Sequence, residues 1–136
     1  KYDKSTLPTC LHAHTMLPEH PKSGYCDLQG RRRVFEDFHA IYLLPTAQFY
    51  GVFDGHTGNW ASKFVASTLY KQLEKQLSNL DEDVLRDSRN TGDWKQKVIG
   101  NVTKAFHDVN EQFIEAVNYA PHGYMDQSGT TATALF

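Results

Sequence analysis

Two apolar runs joined by a short break constrain this chain more than any other feature. Phe38, Ala40, Tyr42 and Leu44 recur at a spacing of two, with Ile41 and Leu43 apolar on the other face. Pro45 ends that run, Thr46-Ala47 follows, and a second run, Phe49-Tyr50-Gly51-Val52-Phe53, begins almost at once. Apolar spacing of two closed by a proline reads as a buried strand. So short a connection predicts that the two strands form an antiparallel β-hairpin. The second run then stops at Asp54-Gly55-His56, a carboxylate, a bare backbone and an imidazole side by side.

The hairpin decides which residues can meet. The start of one strand lies beside the end of the other, so Glu36-Asp37 and Asp54 come to the same rim of the sheet. Hard divalent cations such as Mg²⁺ or Mn²⁺ take oxygen ligands, several of them carboxylates, and keep some water. Gly55 lets its carbonyl approach such an ion without a Cβ in the way. Arg32, four residues before Glu36, is expected near the same rim, where a guanidinium grips a phosphate in two places. His56 can donate a proton near neutral pH. Together these residue types point to metal-assisted phosphate-ester hydrolysis, in which two ions roughly 3.5–4 Å apart activate a water for in-line attack. Each feature alone has a plainer account. Asp-Gly after a strand is a turn, Glu36-Asp37 a solvated strand end, and Arg31-Arg32-Arg33 a solvated charge run. Their convergence on one rim is what carries the chemistry.

Around the hairpin, residues 1–23 hold Pro8, Pro18, Pro21 and several His without a period, and are expected to be an extended lead-in. The domain proper spans 24–136, starting with a short strand from Tyr25 to Leu28 and a turn at Gln29-Gly30. After His56 the period becomes helical: Trp60, Phe64, Leu69, Leu73 and Leu77 recur at four- or five-residue steps, with Val65 on the same side. Residues 79–93 read as a polar, acidic loop. A second helix follows, with Thr91 or Asp93 as N-cap, a stripe of Val98, Val102, Phe106, Val109, Phe113 and Val117, and Pro121 as its stop. Ser128 to Phe136 reads as a turn entering a strand of small residues. That strand still needs a partner, so the chain is expected to be part of a larger domain.

Composition narrows the function. The chain has 136 residues, 40% hydrophobic and 12% aromatic, which is globular rather than disordered. A net charge of -2, with one short basic run, argues against a nucleic-acid partner and against a metal-dependent nuclease. No apolar stretch reaches the roughly 18 residues that span a bilayer. Two cysteines, Cys10 and Cys26, make no disulfide framework, so a reducing compartment is expected: the cytoplasm, with the nucleus as a second location. Cys10, His12 and His14 have soft-metal spacing but no distant partner pair, and are read as surface or packing residues.

Three segments carry a resemblance: Gly30-Arg31-Arg32-Arg33-Val34-Phe35-Glu36-Asp37, Phe49-Tyr50-Gly51-Val52-Phe53-Asp54-Gly55-His56, and Ser128-Gly129-Thr130-Thr131-Ala132. In order and spacing they resemble successive motifs of the metal-dependent protein phosphatases of the protein phosphatase 2C type, over residues 24–136. The resemblance implies an α+β fold: a sandwich of two antiparallel β-sheets flanked by antiparallel helix pairs, of which this chain is the N-terminal half. It also implies hydrolysis of phosphoserine and phosphothreonine in phosphoprotein substrates by a two-metal-activated water.

Carried over by position, Arg32 binds the substrate phosphate, and Glu36 and Asp54 are metal ligands, with Asp54 bridging both ions. Gly55 gives a carbonyl to one ion, Asp37 stands behind and orients metal-bound water, and His56 protonates the departing oxygen. Phe35 replaces the usual Met, which an apolar position tolerates, and Thr57 replaces a small residue after the His. The later Asp residues of the family's site are absent from this chain. Two divalent cations bring +4 against -2 from Glu36 and Asp54, so this chain holds a half-site. A C-terminal remainder, in cis or as a second chain, is expected to complete sheet and site, and residues 1–136 alone are expected neither to fold well nor to catalyse. The rival expectation is a catalytically silent pseudophosphatase that keeps the fold as a binding or scaffold module.

Overall fold

The computed structural model describes residues 25–44, 48–78, 80, 93–119 and 126–135. The lead-in, Cys10, His12, His14, the 45–47 turn, most of the acidic loop and Pro121 lie outside them. The chain divides into two units, Lys1–Phe35 and Glu36–Phe136.

In the first unit the strand expected at Tyr25 to Leu28 does not form, and 25–29 has no regular structure. The expected turn is present. The Arg32 N–H donates to Gln29 O at 3.3 Å, and Gln29 Nε2 donates to Arg32 O at 2.9 Å. Cys26 is disulfide-bonded.

In the second unit, β1 (Phe38–Leu43) and β2 (Gln48–Phe53) form the expected antiparallel pair, with Phe38 opposite Phe53 and Leu43 opposite Gln48. β3 (Gly55–His56), α1 (Trp60–Leu77) and α2 (Asp93–Asn118) follow, then β4 (Gly129–Thr130) and β5 (Thr133–Leu135). The one strand expected near the end is thus two. β5 pairs with β2 to give the order β1-β2-β5, whereas β4 pairs with β3 in a separate two-stranded sheet. The break has a partner: Asp54 interrupts β2 and β3, and the Thr131 N–H donates to Asp54 O at 2.9 Å. Both segments leave one sheet for the other at the same level.

Alternation puts Ala40, Leu44, Phe49 and Phe53 into the core with Ala66, Leu69, Leu73, Ala105 and Val109. The helices are close to the expected spans, but α1 buries a wider face than expected. Its expected stripe runs toward α2, where Trp60 and Phe64 meet Phe113 with ring centroids 5.7 and 5.4 Å apart. Its most buried positions take in Leu69 and Leu73 of that stripe and continue onto Ala61, Ser62, Ala66 and Gln76, a flank that sequence periodicity did not predict. Small residues there allow the helix axis close to the strands. Gln76 Nε2 donates to Asp108 Oδ2 at 3.0 Å and Asn101 Nδ2 donates to Gln76 O at 2.9 Å, fixing the helix pair. The hydrogen bond from Lys104 to Asp108 holds that carboxyl below its ordinary pKa. Among the described residues no helix is long and apolar enough to cross a membrane.

Thr57, in the link between β3 and α1, sits at φ 60. For a β-branched residue this left-handed backbone is an outlier, and it costs an L-residue roughly 1–2 kcal/mol. Thr57→Gly removes that cost, offset in part by the freer unfolded chain. The variant is expected to stabilise the full-length protein by about 1 kcal/mol in denaturant titration. An unchanged or lower midpoint would show that the Thr57 side chain makes up for its backbone.

Candidate functional site

The rim reached by the two strands is assembled as the hairpin predicts. Continuing the Phe38–Phe53 register sets Asp37 opposite Asp54 and Glu36 opposite Gly55. A Cβ on Gly55 would collide with the Glu36 carbonyl oxygen and lie 2.7 Å from Ser62 Oγ, so the glycine is required by the backbone that crosses it. Glu36 is held at both ends. Its carbonyl accepts a 2.5 Å hydrogen bond from Ser62 Oγ, and its carboxylate Oε1 accepts a 2.7 Å bond from the Gly58 N–H. Among the described residues Asp54 is held through its main chain: its carbonyl accepts from the Thr131 N–H at 2.9 Å and from Thr130 Oγ1 at 3.1 Å. The Asp54 and Asp37 side chains are exposed.

His56 pairs with Gly129 across the small sheet. A Cβ on Gly129 would lie 2.7 Å from the imidazole Cε1, so the ring rests directly on that glycine. The ring also borders a hollow of about 350 Å³ whose other walls include Val65, Leu69, Phe106, Phe113 and Gly129. The imidazole therefore has an apolar side and an exposed side.

Helix α1 starts immediately after this loop, and its N-terminus is capped from a distance. Asn59, at the cap position, makes no side-chain cap bond. Instead the Ala61 N–H donates to Ser128 Oγ at 2.9 Å, and Ser128 N donates to Asp126 Oδ1 at 2.8 Å, with the Ser128 hydroxyl bonded to the same carboxylate. One more orphan N–H is thereby satisfied, and the Asp126 charge lies near the positive end of the helix.

Glu36, Gly55, His56 and Asp54 thus share one rim with the third motif, Ser128 to Thr131, while Arg32 is exposed in the first unit. Sequence reading did not find Ser62 or Asp126. Ser62 did leave a signal: it is a polar residue on a helix face otherwise made of Ala61, Ala66 and Leu69. The donors at the rim are two carboxylates and a carbonyl, oxygen chemistry that fits part of a hard divalent-cation site. Among the described residues, no group of three or more His, Cys, Asp or Glu side chains could hold a metal ion.

No protein-family model matches the chain. Curated relatives do. It is 28% identical over 118 residues to the probable protein phosphatase 2C member 13, mitochondrial, of Oryza sativa subsp. japonica, covering 84% of this chain and 32% of that protein. It is 25% identical over 116 residues to the probable protein phosphatase 2C 76 of Arabidopsis thaliana, covering 82% and 28%. A shorter match, 40% identical over 58 residues, to the probable protein phosphatase 2C 32 of Oryza sativa subsp. japonica, covers 39% and 15%. These similarities support a phosphatase of the protein phosphatase 2C type as the family of this chain. The chain spans about 30% of the length of the relatives that align along most of it, which fits a partial domain.

Proposed function

We propose that this chain supplies the N-terminal half of the catalytic domain of a Mg²⁺- or Mn²⁺-dependent protein serine/threonine phosphatase. The observation that carries it is the shared rim, where one hairpin and one short sheet place Glu36, Asp54, Gly55 and His56 together. Glu36, Asp54 and the Gly55 carbonyl would hold two divalent cations together with carboxylates from the remainder of the protein. Bound there, such a pair supplies an activated water and charge to stabilise the transition state of phosphoryl transfer. Arg32 grips two oxygens of the substrate phosphate. Asp37, exposed beside Asp54, orients water at the rim. His56, aligned by its contact with Gly129, gives a proton from its exposed side to the departing Ser or Thr oxygen.

The remainder of the domain completes a second sheet layer. Leu43, Val52 and Leu135 are 51%, 58% and 70% exposed. By the strand registers they share the outer face of β1-β2-β5 with Ile41 and Tyr50, away from the helices. An apolar sheet face of this kind is what a two-sheet sandwich buries.

The test is Mn²⁺-dependent hydrolysis of a phosphothreonine peptide by the full-length protein. Phosphate release that requires the metal supports the enzyme. A folded protein that binds Mn²⁺ but releases no phosphate would make the rim a relic within a scaffold module.

A further inference from the structure

We propose that Ser62 is a positioning residue for the Glu36 carboxylate, and so sets the affinity of the rim for its cation; this rests on the phosphatase reading above. Ser62 is fully buried on the face of α1 that enters the core. A buried hydroxyl requires a partner, and a local one is available, because Ser62 Oγ lies 3.1 Å from Asn59 O three residues back. That bond alone would satisfy it, as serine hydroxyls often do near helix starts. The hydroxyl nevertheless lies nearer to Glu36 O, at 2.5 Å, twenty-six positions away in sequence.

The consequence concerns Glu36 as a whole. Its carbonyl is fixed by a helix whose next turns are anchored by Leu69 and Leu73, both fully buried. Its Oε1 is fixed by the Gly58 N–H in the loop leading to that same helix. The two bonds bracket the residue, and among the described residues Oε2 accepts no hydrogen bond. Ser62 therefore links the rigid core to a carboxylate that would otherwise swing on a strand end. Partners that orient ligands in this way typically affect metal affinity 10- to 100-fold when removed.

The experiment uses the full-length protein and measures Mn²⁺ binding by calorimetry, with no substrate present. Ser62→Ala is expected to weaken Mn²⁺ binding by about 10-fold. In assays, the Mn²⁺ concentration for half-maximal rate should rise by more than kcat falls. Ser62→Thr, which keeps the hydroxyl, should restore binding. Should Ser62→Ala not fold, Ser62→Cys, of similar size and with a poor donor, takes its place in the same comparison. A variant that unfolds earlier yet binds Mn²⁺ as tightly as wild type would reduce Ser62 to a packing role and sink the proposal. Wild-type protein that binds no Mn²⁺ overturns the metal reading itself, a separate outcome visible before any variant is made.

Discussion

Gly55→Ala in the full-length protein is expected to destabilise it by about 3 kcal/mol, the upper part of the range for overpacking in a close-packed interior. The added methyl would collide with the Glu36 carbonyl oxygen and lie 2.7 Å from Ser62 Oγ. Neither neighbour can yield easily, because each holds the other through a 2.5 Å hydrogen bond. One neighbour is backbone next to β1, and the other is fully buried on α1. Relief requires β3 to move away from the segment that leads into β1, which separates the carbonyl of residue 55 from the Glu36 carboxylate. Loss of stability and loss of Mn²⁺ binding should therefore appear together, in denaturant titration and calorimetry on the same preparation. Gly100 is the internal control. It lies within α2 with nothing inside 4 Å of its missing Cβ, so Gly100→Ala should stabilise by up to about 1 kcal/mol from helix propensity. If both substitutions cost little, the crossing of Glu36 over Gly55 is looser than those contacts require.

That crossing also shows how much of the molecule was readable in the sequence. The period-two spacing of Phe38 to Leu44 and Phe49 to Phe53, with Pro45 between, was enough to pair the strands. Pairing alone placed Glu36 beside Asp54-Gly55-His56. The helices were readable for the same reason, because apolar periodicity is a local property of consecutive residues. What was not readable depends on contacts between distant segments. Periodicity could not show that α1 buries a flank of small residues, since Ala61, Ser62 and Ala66 carry little apolar signal. Nor could it show that Ser128, sixty-seven positions from Ala61, caps that helix in place of Asn59. The 128–136 strand was read as continuous because its composition is. The division at Thr131 follows from a hydrogen bond to Asp54, which composition does not encode. The lapse at Tyr25 to Leu28 is the reverse case: the segment has strand-like residues yet takes no regular structure.

Asp54→Asn is expected to reduce Mn²⁺-dependent phosphate release by more than about 100-fold, beyond the range that even indirect partners of a metal site produce. The argument is one of charge rather than shape. Asparagine has nearly the same volume, and the position is fixed through its carbonyl by Thr131 N–H and Thr130 Oγ1, bonds that the substitution leaves intact. The side chain is exposed, so no buried partner is left unsatisfied and stability should change little. Charge changes sharply. Glu36 and Asp54 together bring -2 to a site proposed for two divalent cations, and the substitution would leave -1. An amide oxygen can still ligate one ion but cannot offset the repulsion between two. Binding isotherms should then show a weaker and less complete uptake of Mn²⁺, with an unfolding midpoint near wild type in the absence of metal. Turnover that survives the substitution would move the chemistry away from the end of β2, and the hairpin rim would lose its claim to be the active site.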